Sequence, residues 1–313
     1  MSSESIRLRR VVVSALFLAA ALMLRQFFAF YIPLFGVGGM RVGVSGIFSI
    51  PPSILFGPLY GALVTGLLDV IGHFLRPVGP YLPQMTIVMA SGGFLRGVLW
   101  LSLRNRCVLR LRVAAGAFAA LMIIFSVSTI IMLRVDGITP SFFEGVEEPA
   151  LVETAGMTVM GRFIVTRSQT ATNPPQMLAD RLVDITTVPL AVGGFALALL
   201  IIDILVSKRV LRPKEDGTPA SIMPLLLAIV ISGLYMNTLN TVILRQHVFL
   251  SWQLMPFVVV WLPRAVQAAL TTTVYAYIVA VIMEVVSRQK FMQQIIRKEG
   301  MNWRFWKKHP QDA

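Results

Sequence analysis

The side chains most able to do chemistry are polar residues set in long apolar runs. Asp69 and His73 are four residues apart and so share a helix face. An intramembrane carboxylate is costly and faces a cavity or a partner. Asp69 is thus placed either to accept a ligand's N–H donors or to pair with Arg25 of the first helix, at comparable depth. Asn237, Asn240 and Thr241 stand at i, i+3 and i+4, again one face, and Arg264 and Gln267 begin the last helix. The glycine-rich run Gly36–Pro51 contains Arg41, an anion donor on a lid or a side chain snorkelling to the interface. Tyr81 sits in the outer turn Arg76-Pro-Val-Gly-Pro-Tyr-Leu-Pro83 and can stack on a planar ring or belong to the interfacial aromatic belt. These groups converge on the outer half of the membrane. Their chemistry is recognition: acceptors for a heterocycle at Asp69 and Asn240, guanidinium donors for an anion at Arg41 and Arg264.

Catalysis finds no comparable set. Three scattered histidines form no HExxH, and Asp69 with His73 is too few ligands for a closed metal site. The single Cys107 excludes disulfide frameworks and cysteine-based zinc or iron–sulfur ligation. No P-loop pattern occurs, so no nucleotide hydrolysis is expected of this chain. The reading is of a protein with no catalytic residues, no metal and no cofactor.

The elements holding these residues are membrane helices. Hydrophobic residues make up 56% and charged residues 14% of the 313, too little polar surface for a water-facing globule. Apolar runs lie at about 11–32, 44–76, 84–103, 113–134, 185–207, 221–244 and 264–287. As one helix, 44–76 would be ~50 Å long, too long for one crossing. Gly57-Pro58-Leu59-Tyr60-Gly61 interrupts it, so it reads as two short spans, 44–57 and 59–76.

Charge agrees. Basic clusters lie at 7–10, 104–112, 208–214 and 288–308, and all face the cytoplasm only if 44–76 crosses twice. The net charge of +13 is then positive-inside bias, and no nucleic-acid partner is expected. The apolar run of the first helix is too long for a signal peptide and reaches Arg25, so that helix is expected to stay.

The fold class expected is all-α, a polytopic bundle of about eight helices in the plasma membrane with both termini cytoplasmic. Its parts are 1–112, four helices with a lid loop; 113–207, an extra hairpin with the extracellular loop 135–184; 208–287, the last hairpin; and 288–313, a basic tail. Within the loop, Met157–Thr166 reads as a small β-hairpin. The extra hairpin also looks duplicated: Arg181…Thr186-Thr187…Asp203 matches Arg264…Thr271-Thr272…Glu284, and Thr129…Arg134 matches Thr241…Arg245. Ala15 and Ala19 make a small-xxx-small face on the first helix, for internal packing or for a partner.

Arg41-Val-Gly-Val, Phe56-Gly-Pro-Leu-Tyr-Gly-Ala62, Asp69-Val-Ile-Gly72 and Pro77-Val-Gly-Pro-Tyr-Leu-Pro83 resemble, in order and spacing, the substrate-binding S components of energy-coupling-factor (ECF) vitamin transporters. The folate type is most similar. The likeness is strongest over about 9–103, and the Asn240-Thr241 and Arg264 elements look like that family's last two helices. The resemblance implies capture of a vitamin from outside. It also implies docking on a transmembrane coupling subunit energised by two ABC-type ATPase subunits, and toppling of the S component to release its cargo. It assigns docking to the Ala15 and Ala19 face. Substrate binding is expected of Arg41, Asp69, Tyr81, Asn240, Thr241 and Arg264 on the residues' own account, because so many polar groups in lipid need one another or a ligand. Two departures stand out: eight helices rather than the family's six, and Val242-Ile243-Leu244 where folate members carry a tryptophan. The competing expectations are a self-sufficient secondary transporter, for which Asp69 is nearly alone as a midplane carboxylate, and an intramembrane enzyme, which lacks a nucleophile.

Overall fold

The computed structural model describes residues 3–34, 37–77, 79–146, 148–149, 152–169, 173–209, 221–255, 257–287 and 289. It is a polytopic helical bundle, and six of its helices are long and apolar enough to cross a membrane. In chain order the elements are α1 (Ser3–Phe27), β1 (Ala29–Leu34), β2 (Val37–Gly43), α2 (Gly46–Ser49), α3 (Pro51–Leu55), α4 (Pro58–Leu75), α5 (Pro83–Leu103) and α6 (Val108–Val135). Next come α7 (Val159–Gln169), α8 (Pro174–Arg209), α9 (Met223–His247), a 3-10 turn at Leu250–Leu254 and α10 (Phe257–Ser287). The chain divides into two compact units, residues 1–111 with 203–313, and residues 112–202.

The larger unit is organised by close helix crossings. Gly61 and Gly93 bring the α4 and α5 backbones together, and Gly97 lies under Pro58, where an added Cβ would stand 2.5 Å from the proline Cα. Small residues allow such approach where lipid gives helices no hydrophobic reason to associate. These contacts make α4 and α5 antiparallel. Tyr235 of α9 meets Ser91 of α5 at 3.2 Å, and Arg96 meets Ser232 at 3.2 Å, so α9 also runs against α5. Thr272 of α10 covers Gly233, and Arg264 bonds Thr241, so α10 runs against α9.

The direction of α1 decides a point that charge alone had argued. Its C-terminal Arg25 lies on Leu68, Asp69 and Gly72, near the C-terminal end of α4, so α1 and α4 are parallel. Between Phe27 and Pro58 the chain must therefore return to the other end of the unit. It does so through the antiparallel β1–β2 hairpin and the short apolar run Gly46–Leu55. The N-terminal end of α1, the C-terminal ends of α5 and α10, and the N-terminal end of α9 consequently share one end. The arginine clusters at 7–10 and 104–106 lie together there.

Three expectations need correction. The first half of 44–76 is not a span of its own: it is α2 and then α3, and at ~1.5 Å per residue that run covers about half a bilayer core. The break after it stands where expected, at Gly57, whose φ of +94° is open to glycine and strained for other residues. The glycine-rich segment is not a plain loop, since Val37–Gly43 pairs with Ala29–Leu34 as a strand. Met157–Thr166 is not a hairpin either, because α7 covers Val159–Gln169.

That last difference has a local cause. Asp136 accepts hydrogen bonds from the Thr158 backbone N–H at 3.0 Å and its hydroxyl at 2.6 Å, just ahead of α7. A carboxylate at a helix N-terminus satisfies free N–H groups and complements the dipole. Ile164 and Val165 then join Leu133, Ile138, Phe143, Leu178 and Leu182 in a small core. The described residues of 135–184 thus include a packed core within the smaller unit, and α8 begins at Pro174, earlier than the apolar run suggested. In that unit α6 and α8 are antiparallel: Ser126 Oγ donates to the Thr186 carbonyl, and Gly193 packs on Ala119. Thr129 is buried at 1% exposure, as Thr241 is at 0%. The suspected equivalents Asp203 and Glu284 are buried too, at 1% and 4%.

Candidate functional site

A cavity of about 460 Å³ lies inside the larger unit, walled by α1, α2, α4, α5, α9 and α10. Its volume is in the range of small-molecule sites. Pro80, Tyr81, Val248 and Phe249 stand at one end, and Ser49, Thr65 and Arg96 deeper in.

On the α4 side, Asp69 is held by two side chains, and a third supports one of them. Arg25 Nη2 approaches Oδ1 at 3.3 Å, Thr86 Oγ1 donates to Oδ2 at 2.8 Å, and Tyr81 shares a 2.8 Å hydrogen bond with Thr86. Gly72 makes the ion pair possible: an added Cβ there would stand 2.8 Å from Arg25 Cζ. Of the two roles open to Asp69, pairing with Arg25 is the one observed. An ionised carboxylate has about four acceptor positions, so the cavity side of Asp69 retains capacity for a ligand donor. His73 packs against Tyr81 at a tilt, with ring centroids 5.2 Å apart.

On the opposite wall, Asn237 and Asn240 of α9 line the cavity; the Nδ2 of the first and the Oδ1 of the second are buried with no hydrogen-bond partner among the described residues. They form a donor and an acceptor one turn apart. Arg264 also lines the cavity and is 8% exposed. Its Nε donates to Thr241 Oγ1 at 2.9 Å, and its guanidinium lies 5.7 Å from the centre of the Trp252 ring. Thr241 does not reach the cavity; it positions Arg264, while its own hydroxyl donates to the Asn237 carbonyl at 2.7 Å. Arg245 fixes Trp252 by donating to the carbonyls of Trp252, Gln253 and Met255, the last at 2.7 Å. Pro263, one residue before Arg264, has no N–H to donate to the preceding turn, although α10 continues through it.

The sequence-derived set therefore divides. Asp69, Tyr81, Asn240 and Arg264 come together around one cavity, and Thr241 supports it from behind. Arg41 lies on β2 opposite Tyr31, but its side chain is outside the described residues. Ala15 and Ala19 are exposed on α1, on a face shared with Leu8, Val12 and Leu16 and opposite the buried Val13, Phe17 and Ala21.

Sequence reasoning passed over Arg96, Trp252 and Tyr275. Arg96 sits in the middle of an apolar span, a position that itself signals function because a charge there is costly. Tyr275 donates its hydroxyl to the Gly43 carbonyl, and its ring fills the space beside Gly46, joining α10 to the base of the β-hairpin. Only the fold brings Tyr275 to residues more than two hundred positions away. What the arrangement offers is a partly open chamber, apolar over most of its wall, with guanidinium and amide groups at a few points. Comparisons with known protein families, with curated proteins and with solved structures find no match for this chain.

Proposed function

We propose that this chain is the substrate-binding membrane subunit of an ECF-type importer, taking up a vitamin or related organic anion from outside, with a folate-like molecule as the best candidate. The observation that carries the reading is the partly open, mostly apolar cavity within one helical unit, with Arg264, Asn237 and Asn240 on its wall and an amide nitrogen and an amide oxygen without partners among the described residues. A planar heterocycle lying along α9 could pair its edge with the two asparagines, which carry a donor and an acceptor one turn apart. A carboxylate tail suits a guanidinium fork. Asp69 is tied to Arg25 and Thr86, which leaves it poorly placed as the coupling-ion carboxylate of a self-driven transporter. Energy would come instead from a transmembrane coupling subunit and two ABC-type ATPase subunits, docked on the Ala15–Ala19 face. The shared end of the basic clusters would be the cytoplasmic one, with the cavity mouth outside.

The test contrasts two variants in a cell carrying the coupling subunits. Ala15→Leu should spare folate binding by the purified chain yet abolish uptake of labelled folate, because bulk blocks helix approach. Arg264→Ala should lose both, with binding weakened by ~1.5–3 kcal/mol if the charged donor contacts the ligand. Uptake that persists without the coupling subunits would overturn the reading.

Sidedness is tested separately. In a Cys107→Ser background, a cysteine at Asn105 should be labelled by an impermeant reagent only after the membrane is opened. A cysteine at Glu148 should label in intact cells. The reverse pattern at either site would place the basic end outside.

A further inference from the structure

Arg96 is the most deeply placed cation on the described cavity wall. It is 3% exposed, lines the cavity, and donates from Nε to Ser232 Oγ at 3.2 Å, while its Nη1 has no partner among the described residues. Ser232 turns its own proton to the Ile229 carbonyl at 3.0 Å, so its oxygen is oriented toward Arg96. The one acid among the described lining residues is Asp69, and Arg25 holds it. Asp69 also lies far from Arg96. Thr86, which bonds Asp69, is ten residues before Arg96 on α5, or roughly 15 Å along the helix. Arg264 is at the Asp69 end as well, through Thr241, nine residues or roughly 14 Å along α9 from Ser232.

A guanidinium stays charged in any environment a protein supplies. Buried in a membrane-embedded chamber with an unfilled donor, it costs stability that an apolar side chain of similar size would not. Proteins retain such a cost where a ligand offsets it.

We infer that Arg96 is a second ligand-receiving guanidinium, at the floor of the cavity, and that the ligand is an elongated molecule with its carboxylate end there and an accepting carbonyl at Arg264, roughly 14 Å away by the helical rise. This rests on the binding-subunit reading and adds to it a ligand length and a second acidic or strongly accepting end. A compact neutral ligand would leave Arg96 unpaired.

The experiment uses the full chain in detergent, with Arg96→Gln and Arg96→Met. The probes are folate and its neutral diamide, monitored by the fluorescence of Trp252 and the other tryptophans. Ligand-free melting temperatures should match or exceed the parent's. Folate should bind at least ~10-fold more weakly, whereas affinity for the diamide should change by less than ~3-fold, because only the charged form exploits the guanidinium fork. A fall of more than about 5 °C in both ligand-free variants would make Arg96 a structural tie and overturn the inference. Unchanged folate affinity would also overturn it.

Should the parent bind neither probe, the folate form of the proposed function fails, and Arg96 is judged by what co-purifies. An acidic small molecule seen by native mass spectrometry on the parent and lost from both variants supports the inference. Its equal retention, or no acidic molecule on the parent, refutes it.

Discussion

Replacing Arg25 by methionine is expected to lower the melting temperature of the purified chain more than any other change at the cavity wall. Asp69 would lose its cation while remaining largely buried: the two side chains are 12% and 17% exposed. Removing one partner of a buried pair costs about 3–5 kcal/mol, and cavity water at this partly open site reduces that to about 2–3. For a chain of this size that is a fall of roughly 4–12 °C. The loss extends beyond charge, because Arg25 also donates to the Leu68 carbonyl at 3.1 Å and packs on Gly72, joining α1 to α4.

Asp69→Asn in the same background should recover much of the loss. The amide keeps an acceptor for Thr86 and carries no charge to strand. Thermal melts of the two single variants and the double variant make a cycle that isolates the pair. Additive effects would show that the pair contributes nothing, and that Arg25 acts through packing alone.

Gly93→Val should be worse still for folding. An added Cβ at Gly93 would fall on the Gly61 carbonyl oxygen and Thr65 Oγ1. Extra bulk in a packed core costs ~1–3 kcal/mol where side chains can yield. Here the obstacle is backbone, pinned by the same crossing at Pro58 and Gly97, so the loss is expected at or beyond the upper end. The measurable outcome is a shift of the variant to the void volume in size-exclusion chromatography, or a melting temperature lower by roughly 10 °C. Gly194→Ala is the matched control. Nothing lies within 4 Å of its Cβ position, and alanine favours a helix over glycine by about 1 kcal/mol. If Gly93→Val melts with the parent, the α4–α5 crossing is not as close as described.

Composition and local pattern, both properties of the sequence by itself, determined the helices and one of their breaks. Apolar runs of bilayer length dictate helices, because backbone groups in hydrocarbon must bond within their own segment. Gly57-Pro58 dictates the break before α4, since proline suits a first turn and glycine the positive φ before it. Spacing also put Asn237, Asn240 and Thr241 on one face, and Asp69 near Arg25. Those residues do share a cavity wall or its support.

Only the tertiary structure decided the features that depend on register between distant segments. It made Met157–Thr166 part of a helix, through the capping carboxylate of Asp136, twenty-two residues before Thr158, and a core to which α7 contributes. Period-two apolarity over so short a run cannot anticipate either contact. It turned Thr241 from a wall residue into a support, because Arg264 meets its hydroxyl. It also brought Arg96 out of a hydropathy average. That residue is one charge in an apolar span until α5 and α9 cross and make it part of the cavity wall. Propensity and periodicity act between neighbours in the chain. A binding site is built where chain neighbours do not meet, and its residues take their roles from the crossings that glycines such as Gly61 and Gly93 permit.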